Sequence, residues 1–177
     1  MKKAIATGLM FITFVILYIL QANFFSWFTI AGIQPNLFVL WILFIGLYAG
    51  KKIGIIAGLL GGFLLEIWIG QDIAASMIML AIIGFLGGYF DKNFSKESRI
   101  TIMLMVMGST CFYEIGIYVF HILQLGTHVE ILPFTRTLCI EIVYNTLLTI
   151  ILYPGIQKLG YQLEEIFKGQ NILTRYF

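Results

Sequence analysis

The chain has 177 residues, of which 60% are hydrophobic and only 11% charged, and its mean hydropathy is +0.95. A soluble domain of this size needs more charge to cover its surface, so a water-soluble globule is excluded. The formal net charge of +2 is too small to point to nucleic acid, and the long apolar blocks point to membrane-spanning helices.

Crossing the hydrocarbon core takes about 20 apolar residues. Measured against that length, six transmembrane helices are predicted, over 4–22, 35–50, 53–70, 73–90, 100–123 and 135–157. They make one all-α transmembrane domain over 1–157, followed by a short amphipathic tail over 158–177. No segment alternates polar with apolar residues, which excludes a membrane β-barrel.

The first helix follows Met1-Lys2-Lys3, a start that could be read as a secretory signal. Its apolar stretch is longer than a signal core, and no small-x-small cleavage site follows, so a retained helix is expected. The loop after it, 23–34, is itself aromatic (Phe24, Phe25, Trp27, Phe28) and is expected to lie in the outer membrane interface. Trp41 and Trp68 fall on the same side.

Helices two and three form a tight hairpin across Lys51 and Lys52. Gly46, Gly50, Gly54, Gly58 and Gly62 recur every four residues through it, and Gly84 and Gly88 repeat the spacing in helix four. Small residues at that interval let two backbones approach in a bilayer, where apolar burial gives helices no reason to associate. The stripe reads either as packing within the chain or as a face for a partner's transmembrane helix.

Ionisable groups inside a span are costly and mark candidate sites. Glu66, Glu114 and Glu141 qualify, all in the outer half of the membrane. In helix five, Thr110, Glu114, Tyr118 and His121 share a face. In helix six, Thr137, Glu141, Asn145 and Thr149 recur every four residues. Helices five and six are therefore expected to face each other or a shared cavity. Glu66, Glu114, Arg136, Glu141 and Asn145 form a candidate polar cluster, open to the outside or serving as a hydrogen-bonded staple, with Arg136 as a candidate partner for a glutamate. After helix six, Ile156, Leu159, Leu163, Ile166 and Phe167 keep an apolar face, as an interfacial helix or a plain extension of helix six.

Six spans place every Lys and Arg except Arg136 on one side, which by the positive-inside rule is the cytoplasm, with both termini there. Cys111 and Cys139 sit in separate apolar blocks and read as small core residues. His121 and His128 lack metal-site spacing. Ser76 and Ser109 are lone intramembrane serines, and no phosphate loop, zinc-protease motif or nucleophile elbow is present. No enzyme activity and no cofactor is expected.

The stretch 34–90 resembles the MreD family of rod shape-determining membrane proteins. The resemblance rests on Pro35-Asn36-Leu37, on Gly46-Leu47-Tyr48-Ala49-Gly50, on Gly54, and on Gly58 through Glu66 followed by Gly70. Gly84-Phe85-Leu86-Gly87-Gly88 closes it. Glu66 stands where that family usually has Asp, and Ala74-Ala75 where another glycine is expected. The resemblance implies a non-enzymatic component of the bacterial cell-elongation machinery in the cell membrane. Its direct partner would be MreC, with MreB, RodA and a class B penicillin-binding protein in the wider complex. It also implies an architecture like that of the substrate-binding subunits of energy-coupling-factor transporters. The alternative reading is such a vitamin-binding subunit itself, which would use the outer polar cluster.

Overall fold

The computed structural model describes residues 2–69, 74–94, 96–126 and 130–169. Among these the chain forms six helices, and its only β-pairing is one bridge between Ile30 and Ile33. Helix α1 runs through Lys2–Trp27, with a π-helical stretch at Leu20–Phe24. It is followed by α2 (Leu37–Ala49), α3 (Lys51–Ile69), α4 (Ala75–Asn93), α5 (Arg99–Leu125) and α6 (Ile131–Lys168). Four of them, α1, α4, α5 and α6, are long and apolar enough to cross a membrane. The chain is a multi-pass membrane protein.

Helix α2 differs from the spans expected from sequence. Its 13 residues extend only about 20 Å at 1.5 Å per residue, against a hydrocarbon core of about 30 Å. A helix that is apolar all round belongs inside a protein. Twelve of those 13 residues are buried, and α2 touches each of the other five helices. Its ends are set locally. Asn36 Oδ1 accepts from the Val39 N–H (3.2 Å), and Gly50, at φ +97°, turns the chain directly into α3.

The glycines lie where α2, α3 and α4 meet. A Cβ on Gly54 would strike the backbone of Gly84 and Gly46, and one on Gly58 the backbone of Leu80 and Ala81. On Gly62 it would strike Met77, and on Gly88 the backbone of Lys51. Gly46 and Gly84 abut as well, while Gly50 has only the Lys168 side chain near it.

Helix α1 is the least covered. Only Ala6 and Phe14 on it are buried, and the Phe14 ring lies 5.3 Å from that of Phe38 and 5.5 Å from that of Trp41. An apolar groove of about 300 Å³ runs between α1 and α6 with α2 as its floor. Trp27, at the end of α1, is 88% exposed.

Helix α6 spans 38 residues, about 57 Å, and passes through Pro154 without a break. The segment after Gln157 continues it as far as Lys168. That extension closes one end of the molecule. Lys96, only 1% exposed, donates to Asp91 Oδ1 (2.7 Å) and Glu164 Oε1 (2.5 Å), and its Nζ lies 5.1 Å from the centre of the Tyr48 ring. Lys168 donates to Asp91 Oδ2 (2.7 Å) and to the carbonyl of Leu47 (3.0 Å). Tyr48 in turn packs on Gly160. Lys51, with its Nζ above the Phe85 and Tyr89 rings, belongs to this basic end too.

Candidate functional site

At the opposite, aromatic end, two helix N-termini meet polar side chains in the interior. The first turn of α2 has backbone N–H groups with no partner inside the helix. The Leu37 N–H donates to Gln21 Oε1 (2.9 Å) and the Asn36 N–H to Asn145 Oδ1 (2.8 Å). The Asn145 Nδ2 donates to Thr110 Oγ1 (3.0 Å). Asn145, fully buried, thus ties α6 to both α2 and α5. Thr149 donates to the Asn145 carbonyl one turn on (2.8 Å). The polar faces of α5 and α6 do meet.

Glu66 serves a different terminus. Its two carboxyl oxygens accept the backbone N–H groups of Ala74 (2.9 Å) and Met77 (3.1 Å), so it caps the start of α4 from the end of α3. A carboxylate suits that position because a helix N-terminus carries partial positive charge. It is buried, and both of its oxygens are occupied.

Glu114 and Glu141 are side by side. Glu141 is 6% exposed and lies against Glu114, Asn36 and Asn145, and its Oε1 has no hydrogen-bond partner among the described residues. In front of the pair is a cavity of about 230 Å³, with Gln21, Asn36, Ser76, Tyr113, Glu114 and His121 as its polar lining and Phe38, Leu65, Ala75 and Ile117 as its apolar lining. Tyr113 is buried beside Ser76 and Asn36.

Of the five residues expected in one polar cluster, the structure brings together Glu114, Glu141 and Asn145. Glu66 is spent on α4. Arg136 is exposed and makes no ion pair among the described residues. The Tyr118 ring packs against that of Phe134, with 3.9 Å between ring centres and the planes tilted by 32°. His128 and Gly70 lie outside the described residues. Sequence reasoning did not place Gln21, Asn36, Ser76 and Tyr113 in the site. A lone Gln at the end of an apolar helix and an Asn opening the next were signals available for the first two. No group of three or more His, Cys, Asp or Glu able to hold a metal ion occurs among the described residues.

The sequence profile described as rod shape-determining protein MreD matches residues 2–162. The chain belongs to the MreD family. That match extends the resemblance of 34–90 over nearly the whole chain, α1 and most of α6 included. No curated protein and no solved structure matches it, so the likeness to transporter subunits has no structural counterpart here. MreD membership assigns a role in rod-shape determination, and the family is not known for enzyme activity. It also gives the departure at Ala74 a physical meaning. In this MreD-family chain that residue holds φ +95°, a left-handed backbone that glycine adopts freely.

Proposed function

We propose that the chain is a non-enzymatic membrane component of the bacterial cell-elongation machinery. It binds the single-span protein MreC and so helps to link the MreB cytoskeleton to wall synthesis by RodA and a class B penicillin-binding protein. The family match over 2–162 carries this reading. The basic end, with Lys51, Lys96 and Lys168, faces the cytoplasm along with both termini, and the aromatic end faces outward.

The faces of Gly46, Gly54, Gly58, Gly62, Gly84 and Gly88 are filled by this chain's own helices, which turns attention from them to α1. We place the MreC helix in the apolar groove between α1 and α6. Two features support that choice: α1 buries only two of the residues in Lys2–Ile19, and the groove of about 300 Å³ is lined mainly by apolar side chains. Cysteines at Leu9 and Leu159, both groove-lining and exposed, should cross-link to cysteines in the MreC transmembrane helix. A cysteine at Ile100, exposed on α5, should not. Equal cross-linking at all three would refute the placement.

Affinity purification of the tagged chain from native membranes tests the wider reading. Recovery of MreC and wall-synthesis proteins supports it. Recovery of a transporter ATPase pair with its coupling subunit would favour the vitamin-binding alternative instead.

A further inference from the structure

The cavity at the aromatic end has an electrostatic deficit. Two carboxyl groups, Glu114 and Glu141, adjoin each other, yet among the described residues the lining contains no lysine or arginine, and Arg136 stands outside it. Glu141 Oε1 is buried without a partner among the described residues, beside Glu114 and Asn36, which line the space. Glu141 itself does not line the space, so the acceptors that the cavity offers a ligand are those of Glu114, Ser76, Tyr113 and Gln21. The volume, about 230 Å³, is several times the roughly 30 Å³ share of one water. A bare metal ion is a poor candidate, since the described residues hold no three-ligand group.

We propose that this cavity binds a primary ammonium group, with Glu114 as the charge partner and Ser76, Tyr113 and Gln21 as flanking polar contacts. The group comes either from a small soluble amine or from an aminophospholipid headgroup at the outer surface. The site goes beyond the partner reading and does not depend on it: loss of MreC from a pull-down leaves amine binding untouched.

The experiment uses the full chain in nanodiscs of phosphatidylcholine, whose quaternary headgroup has no N–H to donate, titrated calorimetrically with ethanolamine. Saturable binding is expected, weakened at least tenfold by Glu114→Gln and abolished by Ser76→Leu, which fills the cavity without removing a charge. A second set of nanodiscs contains phosphatidylethanolamine. Retention of that lipid by the wild type and its loss from both variants, with no response to free ethanolamine, assigns the ammonium group to lipid. Thermal unfolding in the same nanodiscs reports on folding, and if Glu114→Gln unfolds, Ser76→Leu decides alone. No saturable binding of either probe, or binding that survives Ser76→Leu, overturns the proposal and leaves a water-filled cavity.

Discussion

Ala74 carries a side chain where the backbone asks for none. Its φ of +95° brings its Cβ close to backbone atoms, and the strain is held by Glu66, whose carboxyl fixes the Ala74 N–H. Ala74→Gly should therefore stabilise the protein by about 1 kcal/mol, read as a raised unfolding temperature in detergent. Asn145 is the opposite case, a residue whose polar atoms are all in use. Asn145→Leu would strand the Asn36 N–H and the Thr110 hydroxyl in the interior. The expected loss is about 2–6 kcal/mol, from two unpaired groups at roughly 1–3 kcal/mol each, again by thermal or denaturant unfolding. Both residues were legible in part. Asn145 stood in a four-residue polar repeat, whereas the dihedral at Ala74 is visible only as a missing glycine. Arg136 shows the limit of such reading. It shares a turn with Thr137 but lies one residue, about 100°, off the stripe that ends at Thr149, so sequence proximity placed it near Glu141 while helix geometry turned it outward.

Among the helices, close approach separates glycines that look alike in sequence. Gly54 and Gly8 are both helical, yet a Cβ on Gly54 would meet the backbone of Gly84, and one on Gly8 would meet nothing. Gly54→Ala should destabilise by about 1–3 kcal/mol or more through overpacking against backbone that cannot rotate away. Gly8→Ala should be neutral or stabilising by up to about 1 kcal/mol, from helix propensity. Equal effects on folded yield and unfolding temperature would show that the α3–α4 contact does not depend on its glycines. The spacing of these glycines was plain in the sequence. Which helix would meet them was not, because a four-residue period defines a face and leaves its partner open. The limits at Asn36 and Gly50 have local causes, a side-chain cap and a positive φ, of the kind a sequence can carry. The cavity was readable only on α5 and α6, since Gln21 and Ser76 reach it through tertiary packing that no periodicity encodes.

Across the whole molecule, the ion network at the basic end joins the α4–α5 connection, the end of α2 and the far end of α6. Lys96→Met would leave Glu164 and Asp91 with one fewer counter-charge in a closed setting, at an expected cost of about 3–5 kcal/mol. Replacing Asp91, Lys96, Glu164 and Lys168 together with Leu or Met should recover most of that loss, because no buried charge is then left alone. Unfolding temperatures of the single and quadruple variants distinguish this from a loss due to side-chain shape, which the quadruple variant would make worse. The basic character of this end was evident from sequence, but its pairing was not: Glu164 and Lys168 lie in a stretch that reads either as an interfacial helix or as an extension of helix six, and the unbroken run of α6 brings them to Lys96.

The short central helix also governs how the chain enters the membrane in the first place. A segment of 13 residues, about 20 Å long, cannot hold itself across a bilayer while the rest of the protein is still being synthesised. Joined to α3 by Gly50 alone, it has to be delivered by the insertion machinery as half of a hairpin and sheltered there until α4, α5 and α6 arrive to surround it. In ribosome-stalled intermediates ending before α4, cysteines placed in this hairpin should accordingly react with a membrane-impermeant thiol reagent, and in those that include α6 they should not.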